Sequence, residues 1–104
     1  MKKHPNEFTR RRILEYFRVR SLDVDVNMVD GGYVIFLHRF SAIEARNVDD
    51  PAGRVIYEPT QDNWELYWMS GRCQWHFYDL FDRLEQALDL MYGEKAANLF
   101  HKVL

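Results

Sequence analysis

Histidine is the side chain best matched to proton transfer or metal binding near neutral pH, and the chain holds four. Two of them, His38 and His76, fall in stretches that read as strands. The strand pairing predicted below sets His38 across from Asp23 or Asp25 and His76 across from Glu65. An imidazole beside a carboxylate can ligate zinc or relay a proton. The spacing of these residues follows no metal-ligand signature, so the expectation is separate cross-strand pairs, with no metal and no cofactor. Nucleophiles are poorly placed for catalysis. Cys73 is the only cysteine, which excludes an intramolecular disulfide and a cysteine-based zinc site, and it falls beside tryptophans, where a thiol stays neutral and inert. Ser21, Ser41 and Ser70 sit at element ends without a Gly-x-Ser-x-Gly elbow. Gly31–Gly32 reads as a hairpin and not as a phosphate cradle. No catalytic residue is assigned, and the chain is expected not to be an enzyme.

Charge suggests a second chemistry. Residues 1–20 carry seven basic side chains against Glu7 and Glu15, a net of +5, whereas the other 84 carry seven basic and fourteen acidic ones, a net of −7. Arg10, Arg11, Arg12 and Arg18 are therefore candidate contacts for single-stranded RNA or DNA, with Tyr67 and Tyr78 available to stack on bases. The competing expectation is a basic helix docked on an acidic body.

The whole chain limits both. Its 104 residues, 47% hydrophobic with a net charge of −2, suit one soluble domain spanning 1–104. The longest apolar run, Val34–Leu37, is far too short to cross a bilayer, and Met1–Pro5 leads into charged residues with no apolar leader. A cytoplasmic location is expected, with no membrane partner.

The elements that must position these residues follow from periodicity. Ile13, Leu14, Tyr16 and Phe17 share one arc of a helix predicted over Pro5–Val19. Leu22, Val24, Val26 and Met28 alternate with polar residues, and Asp30–Gly31–Gly32 supplies a tight hairpin returning as Tyr33–Phe40. Residues 41–53, rich in turn formers from Asn47 onward, read as a loop, with the strand reaching at most Arg46, and Arg54–Glu58 as a short strand stopped by Pro59. Trp64–Tyr78 reads as a hairpin with its tip at Ser70–Gly71. An even loop pairs Trp68 with Cys73, Leu66 with Trp75 and Trp64 with Phe77, placing all six on one buried face. A helix is predicted from Asp79 to Tyr92, with Leu80, Leu84, Leu88 and Met91 as its stripe, then a short one over Glu94–Lys102.

The motif Tyr57-x-x-Thr60-Gln61-x-x-Trp64-x-x-x-Trp68, followed after six residues by Trp75-His76-x-Tyr78, resembles a small bacterial family, the domain of unknown function numbered three thousand and twenty-four. The resemblance covers most of the chain and implies an N-terminal helix, two hairpins and a final helix, with no activity to transfer. Where that family tends to carry Arg-Pro after the second strand, this chain has Arg39-Phe40-Ser41. Short links favour an antiparallel meander, so the expected fold is a two-layer α+β sandwich of about five strands, with the helices over the tryptophans. The opposite face would then carry Glu65, Tyr67, His76, Tyr78 and His38 as a docking surface for a protein partner or a second copy, the leading functional expectation.

Overall fold

The computed structural model describes residues 3–93 and Phe100, with Arg39 described by its backbone only. Helix α1 (Glu7–Arg18) is followed by strands β1 (Val24–Val29), β2 (Gly32–Ser41), β3 (Arg46–Glu58), β4 (Asn63–Met69) and β5 (Trp75–Phe81), then helix α2 (Leu84–Tyr92). The strands form one antiparallel sheet in the order of the chain, and both helices pack on the same side, giving the α+β sandwich that the pattern predicts. No helix among the described residues is long and apolar enough to cross a membrane. The helix predicted over Glu94–Lys102 lies outside the described residues, Phe100 excepted.

Local chemistry accounts for the first half. Pro5 precedes α1; Asn6 caps it, its side-chain oxygen accepting from the Thr9 N–H at 2.7 Å. Ile13 and Phe17 then meet the sheet and are buried. Asp30–Gly31 makes the two-residue turn between β1 and β2, Gly31 taking the positive φ such a turn needs. Gly32 is irreplaceable for another reason: a Cβ there would lie 2.0 Å from the Val55 carbonyl oxygen of β3.

The predicted loop over residues 41–53 does not form. β2 turns tightly through residues 42–45, and β3 returns as a thirteen-residue strand. Ala42-Ile43-Glu44-Ala45 contains none of the usual turn residues, yet Ala45 takes a positive φ and Ser41 Oγ accepts from the Glu44 N–H. The turn formers lie inside the strand instead. Pro51 is tolerated because β4 pairs only with Arg54–Glu58, so at Pro51 β3 has a neighbour on one side alone. As β1 pairs with β2 only as far as Leu37, the outer parts of β2 and β3 project as a two-stranded ribbon with Ile43 97% exposed at its turn.

The second hairpin departs from the predicted register. Five residues, Ser70–Gln74, connect β4 to β5, pairing Met69 with Trp75, Trp68 with His76 and Tyr67 with Phe77. Trp75 and Phe77 are thereby moved to the face opposite Trp64, Leu66 and Trp68, and Cys73 sits exposed in the turn at positive φ. A bulge at Leu66/Tyr67 absorbs Tyr78 and lets β5 run on to Phe81, opposite Trp64. Hence residues 79–81 are strand, and α2 begins at Leu84, with Gln86 Oε1 accepting from the Arg83 N–H. The even spacing of Leu80, Leu84 and Leu88 mimics one helix across two elements. The core therefore holds one fully enclosed indole, Trp64, with Tyr33, Ile35, Val55 and Leu66 under Ile13, Phe17, Leu84, Leu88 and Met91.

Candidate functional site

The face of the sheet turned away from both helices carries the most distinctive surface. Strand pairing aligns Val34, Arg54, Tyr67 and Phe77 in one row across β2 to β5. The Arg54 guanidinium lies 4.4 Å from the Tyr67 ring centroid and 5.3 Å from that of Trp75. Tyr67 meets Phe77 edge-on at 5.8 Å and donates its hydroxyl to Glu65 at 2.8 Å. Burial and the neighbouring Glu65 carboxylate both push the Tyr67 phenol above its ordinary range, so it stays a neutral donor. Among the described residues no carboxylate forms an ion pair with Arg54, and its Nε is buried without a hydrogen-bond partner. Beside this cluster Phe77 is 53% and Leu80 45% exposed. A half-buried guanidinium and aromatic rings held together on an uncovered face are the residue types that anchor protein contacts.

The predicted docking residues are divided by this geometry. Glu65 and Tyr67 belong to the open face. His76 does not oppose Glu65, whose partner is Leu80; it stacks on Trp68 at 4.7 Å, on the rim of the helix-covered side. Tyr78 turns inward at the bulge and meets Phe100 at 5.6 Å. His38 faces outward near the ribbon and does lie across from Asp23, whose backbone carbonyl accepts from its N–H at 3.0 Å, but its imidazole is hydrogen-bonded to Asp49 of β3, opposite it on the other side. That hydrogen bond raises the imidazole's pKa, helped by the charges of Asp49, Asp23 and Asp25. His38 and His76 therefore lie on opposite faces with β3 and β4 between them, and they do not converge. No metal-ligating cluster of three such groups occurs among the described residues.

Each of the four arginines weighed for nucleic acid touches a carboxylate of its own chain. Arg10 meets Glu7 and Asp25, Arg11 meets Glu7, Arg12 meets Glu85 on α2, and Arg18 meets Glu15. Arg10 also donates through Nε to the Val26 carbonyl at 2.8 Å. Three of these pairs lie within α1 itself, and Arg10–Asp25 and Arg12–Glu85 tie the helix to the acidic body.

Sequence reasoning missed His4. It is buried, its Nδ1 2.7 Å from the Tyr33 hydroxyl, with the rings of Trp64 at 4.7 Å, Tyr57 at 4.9 Å and Tyr33 at 5.8 Å around it. Burial lowers its pKa, and the Lys3 charge adds to the effect. The first half of the aromatic motif, Tyr57 and Trp64, thus serves to seat the N-terminal segment. A histidine three places from the start, in a polar stretch, carries no periodic signal that could have shown this. Arg54 was equally silent, since its meaning depends on the hairpin register.

Comparison with known proteins yields a family match over residues 1–101, to the model described as Domain of unknown function (DUF3024). No curated protein and no solved structure matches the chain.

Proposed function

Because the chain belongs to the DUF3024 family, whose description assigns no activity, we propose its function from the geometry alone: a non-enzymatic protein-interaction module that receives its partner on the uncovered face of the sheet. The observation that carries this reading is the Arg54 guanidinium held between Tyr67 and Trp75 with half-exposed Phe77 beside it. Such a cluster offers a planar charged donor and rigid apolar area at little entropic cost. A partner presenting a carboxylate beside an apolar side chain fits both. In this reading the protein works in the cytoplasm, its one cysteine unbridged.

The test is capture by the immobilised protein, compared with Arg54→Glu and Phe77→Ser variants whose folding is verified by circular dichroism. A partner retained by the wild type and lost by both variants supports the reading. Retention unchanged by either variant removes it. Salt-sensitive binding of single-stranded nucleic acid that survives both variants, and fails when Arg11 and Arg18 are reversed, transfers the function to α1 instead.

A further inference from the structure

The two edges of the sheet are treated differently, and the difference identifies a partner. On β1, Val26 turns its backbone groups outward. The Asp25 carboxylate accepts from its N–H at 2.8 Å, and Arg10 Nε donates to its carbonyl at 2.8 Å, so this edge is occupied by the chain's own side chains. On β5 the same device appears once, where Asp79 Oδ1 accepts from the Leu80 N–H at 2.8 Å, just past the bulge.

The half of β5 before the bulge has nothing equivalent. The Ser70 N–H donates to the Gln74 carbonyl at the mouth of the hairpin, which turns the backbone groups of Gln74 and His76 towards β4. Alternation then turns the N–H and C=O of Trp75 and Phe77 outward, with no partner among the described residues. Unpaired strand edges are templates for another strand, and proteins ordinarily protect them with lysine, proline or a covering element. Residues 75–78 contain neither lysine nor proline.

We propose that this edge receives a second copy of the same chain, with β5 lying antiparallel to β5 about a two-fold axis at His76, so that Trp75 of each copy pairs with Phe77 of the other. In that register the outward N–H and C=O groups of both residues, in both copies, form four hydrogen bonds and leave none over. Paired residues share a face, so each Trp75 meets the opposite Phe77 on the open side, an aromatic cross-strand pair. Beyond these pairs, at each end, the register brings Asp79 of one copy to the turn of the other, opposite Cys73 and next in sequence to Arg72. Arg72 is exposed and forms no ion pair with the described residues, so the charges are complementary. A second copy satisfies all of these at once, whereas an arbitrary strand would satisfy only the backbone. The contact goes beyond the docking face, since it uses backbone groups and stands or falls independently of Arg54. It is smaller than a standard interface, so the dimer is expected to be weak and to form with rising concentration.

The test uses the full chain. In a Cys73→Ser background, His76→Cys places two thiols across the axis, and Ile43→Cys on the ribbon serves as the collision control. Mild oxidation is expected to link His76→Cys into a covalent dimer at least tenfold faster than Ile43→Cys; equal rates overturn the proposal. By light scattering the wild-type mass should rise from 12.6 kDa towards twice that value with concentration. Arg72→Glu should weaken the dimer severalfold, and Asp79→Lys added to it should restore it. A mass fixed at the monomer value up to millimolar concentration, or a dimer indifferent to Arg72→Glu, also overturns it. Loss of partner capture in Arg54→Glu with thiol linkage intact separates the two readings.

Discussion

On each side of the sheet a nitrogen-bearing side chain is boxed in by aromatic rings, and these two boxes do opposite things. On the helix side, His4 lies among Tyr33, Tyr57 and Trp64, nearly dry and kept neutral by burial. On the open side, Arg54 lies between Tyr67 and Trp75 and is always charged. Aromatic residues at similar spacing thus serve as an anchor when a helix covers them and stand as a half-exposed surface when nothing does. What decides is the layer above, and this is set by which way each strand's alternation falls.

Substitutions can break this contrast, the largest effect first. Trp64→Ala should empty the inner box and cost about 3–5 kcal/mol, read as a lowered urea midpoint with the slope unchanged. Tyr67→Ala on the open side should cost far less; equal losses would erase the distinction. The next effect is acid sensitivity. The His4 pKa in the folded protein lies below its ordinary value near 6.5, so protonation favours the unfolded chain. Its contribution is complete above that ordinary value and fades as pH falls. Stability measured from pH 7 down to 5 should decline, and His4→Phe, which fills the box without titrating, should flatten the decline; an unaltered slope would assign it to other groups.

Smaller still is Arg54→Met, which keeps the stem and removes the charge. Stability should change by less than about 1 kcal/mol while partner capture is lost. A large destabilisation instead would make Arg54 a structural residue like His4. The smallest effect tests a histidine outside both boxes. Asp49 raises the His38 pKa, so its contribution is present below pH 6.5 and disappears as pH rises through the raised value. His38→Asn should remove a slight alkaline loss of stability, opposite in sign to the His4 effect.

The inner side was largely legible in the sequence and the outer side was not. Ile13 and Phe17 on one helical arc, and Val24, Val26, Tyr33 and Ile35 on one sheet face, follow from periods of 3.6 and 2 with a turn marked by glycine. The Trp64–Tyr78 hairpin offered no such marker for its loop length. One residue of slip reverses every side chain on a strand, so assuming an even loop placed Trp75 inside and hid its meeting with Arg54. The residues 41–53 failed for a related reason: composition marks Asn47–Gly53 as turn, but a strand with a free side can hold Pro51, and the true turn uses alanines. His4 is a contact between residues far apart in sequence, beyond the reach of any local pattern.

Strand order that repeats chain order has a kinetic meaning. Every sheet contact joins neighbours along the chain, so four hairpins can zip without threading, a topology associated with rapid folding. The Arg12–Glu85 and Tyr16–Asp89 contacts, each spanning 73 residues, can form only when α2 meets α1. Closing a loop of that length carries a larger entropic cost than closing any one of the hairpins.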